Sequence, residues 1–99
     1  MNDLNSVFIV GRVKKVKEDE KGKRLIIDLS NHHYSFNEEK KECVEEDLTI
    51  KVVLYGIQIE KWKDQLPKGT RIGVNGRIDK DLNIVGYALQ ILQAVSKAS

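Results

Sequence analysis

Lysine, arginine and aromatic side chains alternate with apolar ones in several short segments of this 99-residue chain. In the segment 48–55, Lys51 and Tyr55 share one side of a period-two pattern, while leucine, isoleucine and valine fill the other side. Arg71 and Arg77 share one side of a second alternating segment. A positive charge attracts phosphate groups, and a flat ring stacks on a base. This combination favours the binding of a nucleic acid whose bases are accessible.

Two other places supply the same types of residue. Arg12 and Lys14 lie on the outward side of the first alternating segment. Tyr34 and Phe36 begin a polar segment, from which they can close over a bound strand. The candidate binding residues are therefore Arg12, Lys14, Tyr34, Phe36, Lys51, Tyr55, Arg71 and Arg77.

The sequence contains no arrangement typical of catalysis or of a metal site. His32 and His33 are adjacent, so on a strand they point to opposite faces, and no cysteine or acid stands at ligand spacing. Cys43 lies among acids, a setting that disfavours a nucleophilic role. The glycines form no phosphate-binding loop of the P-loop type. We therefore predict a binding protein rather than an enzyme, with no cofactor and no metal.

Composition indicates the class of protein and its compartment. The chain is 40% hydrophobic and 32% charged, which is typical of a single globular domain. It has no run of about 18 apolar residues, and its N-terminus lacks the basic and apolar regions of a secretory signal. Its single cysteine cannot form an internal disulfide. We expect a cytoplasmic protein.

Charge is unevenly distributed along the chain, although the net charge is only +2. The segment 38–47 holds six acids and two lysines, whereas the remaining residues include 15 Lys and Arg against 9 Asp and Glu. A surface that binds a polyanion must avoid this acidic segment. We expect residues 32–43 to form a flexible polar hairpin loop. The acids of 38–47 would then lower the affinity for phosphate or shorten the binding site.

Hydrophobic periodicity predicts the elements that position these residues. Short alternating segments predict five strands, and apolar residues at helical spacing predict one helix, whose Trp62 faces the core. The predicted elements are a strand opening at 7–10, strands at 24–29 and 48–55, a helix at 57–66, and strands at 71–78 and 83–92. This order predicts an all-β fold, a five-stranded OB-fold Greek-key barrel with one short helix between strands 3 and 4. The barrel would span residues 1–92, and 93–99 would be a short frayed tail.

The ordered set of motifs resembles the bacterial single-stranded DNA-binding protein (SSB) family over roughly residues 4–92. The segment Lys51-Val-Val-Leu-Tyr-Gly56 is similar to the family's strand before the helix. The family's strand after the helix has a similar counterpart here, Leu66-Pro-Lys-Gly-Thr-Arg-Ile-Gly-Val-Asn-Gly-Arg-Ile78. The first strand is similar to Asn5-Ser-Val-Phe-Ile-Val-Gly-Arg-Val13. The resemblance implies sequence-independent binding and protection of single-stranded DNA in replication, recombination or repair.

The resemblance also implies roles for individual residues. Lys51 and Tyr55 occupy positions that match DNA-contacting ones in the family. Thr49 stands where the family commonly has a stacking tryptophan, and the region of Tyr34 and Phe36 stands near another. The chain ends without the linker and acidic tip through which typical replicative members recruit other proteins. We therefore expect no recruitment through such a tip.

Phe8 and Val10 are apolar on the outward side of the first strand, where a monomer should be polar. Because first strands lie near the dimer axis in the family, we expect a homo-oligomer, with a tetramer ahead of a dimer. Two alternatives remain open. One is a primosomal replication protein similar to PriB, which binds single strands weakly and contacts replication partners. The other is an OB-fold protein-interaction module with little affinity for DNA, which the missing tryptophans and the acidic segment favour.

Overall fold

The computed structural model describes residues 5–19 and 23–95. Within these residues the chain forms an OB-fold barrel of five strands with one short helix between the third and fourth, as the sequence predicts. The elements are β1 (Val7–Asp19), β2 (Arg24–Asn37), β3 (Glu42–Tyr55), α1 (Ile57–Trp62), β4 (Arg71–Ile78) and β5 (Ile84–Gln93). Residues 1–4 and 20–22 of the predicted barrel and residues 96–99 of the predicted tail lie outside the described residues.

The strands close into a barrel in the order β1-β2-β3-β5-β4. β1 closes it, because residues 7–12 pair with β4 and residues 12–19 pair with β2, both antiparallel. β3 and β5 are parallel neighbours over two residues each. Within the barrel, side chains on the inner side of each strand therefore point into one enclosed core and those on the outer side point away from it.

The inward side chains form an apolar core. Leu25 and Leu54, directly opposite each other on β2 and β3, are fully buried, and each such burial contributes about 1.5–3 kcal/mol. Helix α1 covers one end of the barrel with Trp62, which is 8% exposed. The indole Nε1 of Trp62 donates a hydrogen bond to Oε1 of Gln58 at 3.0 Å. The prediction that Trp62 is a core residue is confirmed.

Of residues 32–43, which were expected to form a flexible loop, residues 32–37 and 42–43 belong instead to the paired strands β2 and β3, and only residues 38–41 form a turn. β2 and β3 remain in register from the pair Arg24–Tyr55 to the pair Asn37–Glu42. The prediction of a loop was wrong because much of this ribbon is exposed on both faces, so no apolar alternation reveals its strands. We call residues 31–48 the arm.

A tight turn closes the arm at residues 38–41. The side-chain Oδ1 of Asn37 accepts hydrogen bonds from the backbone N–H groups of Glu39 and Lys40, at 3.0 and 3.2 Å. Lys41 completes the turn with a φ of 51°. An asparagine that binds the backbone two and three residues ahead is typical of tight turns, so the end of the arm has a defined local structure.

Two smaller differences concern β1 and α1. β1 continues well beyond the predicted opening at 7–10, and Gly11 lies against β2, where a Cβ atom would come within 2.8 Å of the carbonyl oxygen of Ser30. Helix α1 ends at Trp62 rather than at Leu66, although Leu66 is buried in the core. Among the residues that the structure describes, no helix is long and apolar enough to cross a membrane.

Candidate nucleic-acid interface

A bulge in β1 decides which of its side chains point outwards. The register between β1 and β2 skips Lys14, which is left as the extra residue. Beyond the bulge Lys15 and Lys17 point outwards, whereas Val16 packs against the core. Sequence reasoning missed these two lysines because simple alternation places Lys15 inside. The three-residue spacing of Val13 and Val16 is the signal that could have revealed the bulge.

Four cross-strand rows form what we call the outer face, on β1, β2 and β3. Directly paired side chains in such rows stand about 5 Å apart. The rows are Arg12–Ser30–Thr49, Lys15–Asp28–Lys51, Lys17–Ile26–Val53 and Asp19–Arg24–Tyr55. Together with Lys14, the outer face carries six Lys or Arg against two Asp. It is therefore a basic surface with an aromatic ring at one end.

The predicted residues Lys14, Lys51 and Tyr55 meet on this face. Lys14 Nζ donates a hydrogen bond to the hydroxyl of Thr49 at 3.0 Å, across β2. Lys51 is exposed, and it lies four residues before Tyr55 on β3, a distance of about 13 Å. The ring of Tyr55 is 46% exposed. Positive charges and an exposed aromatic ring thus occur together, which is the combination that binding of single strands requires.

Arg12 and Arg71 extend the outer face towards β4. They are directly opposite each other in the β1–β4 register. The Arg12 guanidinium donates hydrogen bonds to the carbonyl oxygen of Gly69 at 3.0 Å and to Oε1 of Gln93 at 3.2 Å. A depression of about 280 Å³ lies beside the two arginines and is also lined by Ser30, Asn31 and His32. Its basic lining suits an anionic group.

Arg77, also predicted as a binding residue, lies apart from the others. It is six residues beyond Arg71 on β4, which corresponds to about 20 Å along the strand. Its cross-strand partner is Val85 of β5. Arg77 therefore projects from the β4–β5 side of the barrel and does not join the outer face.

Tyr34 and Phe36 lie on the arm, on the same side of the β2–β3 sheet as Lys51. They stand opposite Glu45 and Cys43, and their side chains are 71% and 61% exposed. Glu45 precedes Lys51 by six residues, so Tyr34 is about 20 Å from the Lys51 row. The arm thus continues the side of the outer face beyond the barrel but does not bring these rings next to Lys51.

Histidine–carboxylate pairs hold the two strands of the arm together. His32 Nδ1 lies 3.1 Å from Glu45 Oε1, and His33 Nε2 lies 2.9 Å from Glu46 Oε2, on opposite faces of the ribbon. Asp47 accepts a hydrogen bond at 2.7 Å from a serine hydroxyl of β2. A two-stranded ribbon without a core is only marginally stable, so these contacts stabilise the arm. In the described part of the chain, no group of three or more potential ligands is placed to hold a metal ion.

An apolar patch on the β1–β4 side of the barrel is separate from the outer face. Phe8 is 55% exposed, and its ring packs on Gly73 of β4, where a Cβ atom would lie 2.8 Å from the ring. Val10, which pairs directly with Gly73, is half-buried. β1 pairs with β2 only from Arg12 onwards. Among the described residues, 7–11 therefore pair with β4 along one edge and with no strand along the other edge. This patch is a candidate contact surface rather than part of the basic interface.

The chain was compared with models of protein families and with solved structures. The model of the single-strand binding protein family matches residues 4–82. The SSB of Plasmodium falciparum, solved in complex with ssDNA, has a TM-score of 0.75 at 18% identity over 94% of this chain and 98% of that chain. A small single-stranded DNA-binding protein from Streptomyces coelicolor has a TM-score of 0.65 at 17% identity over 92% of this chain and 94% of that chain. These two likenesses support the fold.

A deletion mutant of the single-stranded DNA binding protein from Thermus aquaticus has a TM-score of 0.75 at 26% identity. The alignment covers 91% of this chain and 51% of that chain, so the present chain corresponds to about half of that protein. A comparison with curated proteins found no match.

Proposed function

This chain belongs to the single-strand binding protein family, and from that membership we propose that it binds and protects single-stranded DNA without requiring a defined sequence. The binding is passive and uses neither a cofactor nor a catalytic group. It serves replication, recombination or repair in the cytoplasm. Residues 1–92 form the binding domain.

The observation that carries this proposal is the in-register outer face. Lys14, Lys15 and Lys51 hold phosphates, and the exposed ring of Tyr55 at the end of β3 stacks a base. Arg12 and Arg71 continue the phosphate path, while Tyr34 and Phe36 contact a longer strand along the arm. Arg77 contacts only DNA that wraps towards the β4–β5 side.

Fluorescence anisotropy of a labelled dT oligonucleotide, titrated at two salt concentrations, tests the function. We expect tight binding that weakens as salt rises, because each phosphate contact releases condensed cations. Duplex DNA is the control, and it should compete poorly because its bases are already stacked and paired. Weak binding for which duplex competes equally would contradict the proposal.

We further propose that the apolar patch of Phe8 and Val10, which we call the Phe8 patch, mediates self-association, with a homotetramer ahead of a homodimer. An exposed phenylalanine beside a half-buried valine is unfavourable in water unless a second surface covers it. Residues 7–9 of β1 also offer a strand edge next to that patch. A second copy, related by symmetry, supplies the same apolar surface and the same edge.

Replacing Phe8 and Val10 by lysine should dissociate the oligomer. Light scattering coupled to size exclusion should give about four times 11.3 kDa for the native chain and a smaller mass for the double variant. Leu82→Lys is the matched control, because Leu82 is 82% exposed at the β4–β5 turn, outside the patch. A native chain that is monomeric at micromolar concentration would contradict this proposal.

A protein-interaction role is the second candidate function, either as a PriB-like primosomal component or as an OB-fold module with little DNA affinity. Thr49 stands in one row of the outer face without offering a ring, and the arm concentrates negative charge. Both features reduce affinity for DNA. The alternative requires that replacing Lys51 and Tyr55 leaves the association with partner proteins unchanged.

A further inference from the structure

An acidic residue, Asp28, lies at the centre of the basic outer face. It is directly paired with Lys15 of β1 on one side and with Lys51 of β3 on the other. Within the described residues, neither lysine forms an ion pair with its carboxylate. The Oδ1 atom of Asp28 is buried and has no hydrogen-bond partner there. Oδ2 is therefore the oxygen that a ligand can reach.

Asp28 opposes the binding of a phosphate backbone. Its negative charge repels phosphates at the point where Lys15 and Lys51 attract them. A buried carboxylate oxygen without a hydrogen bond, as Oδ1 is here, is also unfavourable. Since an ionised carboxylate is only an acceptor, the group that it can bind is a donor. In a single strand, the accessible donors are on the edges of the bases.

The row next to Asp28 provides a surface on which a base can rest. Ile26 is half-buried and Val53 beside it is 4% exposed, so Ile26 supplies the accessible apolar surface between Asp28 and the Tyr55 row, and Val53 packs beneath it as a support. Rows on one face are about 7 Å apart along the strands. A base that lies on this surface therefore presents its edge to the Asp28 carboxylate.

Resting on the proposed function, we propose that Asp28 accepts a hydrogen bond from the amino group of a base that lies on Ile26. Cytosine and adenine carry such an amino group, whereas thymine presents a carbonyl oxygen at the same position. The carboxylate attracts the amino group and repels the carbonyl oxygen. The outer face thereby prefers cytosine to thymine while it still binds both.

Oligonucleotides of dC and dT of equal length test this preference by anisotropy at pH 8. Both are pyrimidines, so ring size does not differ between them, and the Asp28 variants report which part of the preference depends on the carboxylate. Asp28→Ala should strengthen binding of dT more than that of dC. The Kd for dT divided by the Kd for dC should therefore fall about five-fold. Asp28→Asn should lower the same ratio, because it removes the charge and its side-chain amide N–H can donate to the carbonyl oxygen of thymine.

Asp47→Ala is the matched control. It removes one carboxylate from the same side of the β2–β3 sheet, but this carboxylate already accepts a hydrogen bond from Ser30. A purely electrostatic effect of Asp28 would raise the affinity for dC and dT by the same factor, as we expect for Asp47→Ala, and would overturn the inference. If the native chain bound neither oligonucleotide, the proposed function itself would fall, which is a different result from an unchanged ratio.

Discussion

Replacing Lys51 and Tyr55 together by alanine is expected to weaken the binding of a dT oligonucleotide by about 100-fold. A stacked base contributes about 1–3 kcal/mol, and the phosphate held by Lys51 adds to this, while about 1.4 kcal/mol corresponds to a factor of ten. Both side chains project from β3 on the outer face and are exposed, so their removal leaves the core intact. Anisotropy titrations of the native and double-variant proteins measure the loss of affinity.

The two single variants separate the contributions of charge and stacking. Lys51→Ala should reduce the slope of log Kd against log salt by about 0.7 for each phosphate that the lysine neutralises. Tyr55→Ala should weaken binding without changing that slope, because stacking releases no counterions. The matched control replaces Lys80 and Leu82, one lysine and one exposed apolar residue of the β4–β5 turn, by alanine. Equal losses of affinity in the control and in the variant lacking Lys51 and Tyr55 would contradict binding of DNA on the outer face.

Neutralising the acids of the arm is expected to produce the largest gain in affinity. Exchanging all six for glutamine or asparagine should strengthen binding of a long dT oligonucleotide by about ten-fold at low salt and steepen its salt dependence. The six acids are Glu38, Glu39, Glu42, Glu45, Glu46 and Asp47. The physical reason is that these charges repel a strand that follows the arm past Tyr34 and Phe36. Unchanged affinity at low salt would refute the repulsive role.

The structure divides these acids into two groups with different expected effects. Glu45, Glu46 and Asp47 bond to residues of β2, so their exchange also loosens the arm. Glu42 is nine residues, or about 30 Å, from Lys51, well beyond the screening length of about 8 Å at physiological salt. Exchanging only the acids at residues 38, 39 and 42 should therefore strengthen the binding of long oligonucleotides and leave short ones unaffected. An equal gain for short oligonucleotides would show that the strand does not run along the arm.

The sequence by itself determined the barrel, and it determined which side of β3 and of β4 faces the core within that barrel. A buried strand with one face in the core alternates apolar and polar residues, so the sides of β3 and β4 follow from local pattern alone. The same parity identified Lys51 and Tyr55 as outward residues on one face of β3. The spacing of apolar residues after Gly56 predicted a helix and placed Trp62 against the core, although it overestimated the length of the helix.

Only the tertiary structure decided how the strands are aligned around the outer face. Pairing between strands depends on contacts that are distant in sequence, and the bulge at Lys14 shifts the register of β1 by one residue. That shift turns Lys15 and Lys17 outwards and places Asp28 between Lys15 and Lys51. The arm escaped prediction for a related reason. Its strands are defined by pairing and by His32 and His33 bonding to carboxylates across the ribbon, and an element with two solvated faces leaves no hydrophobic period in its sequence.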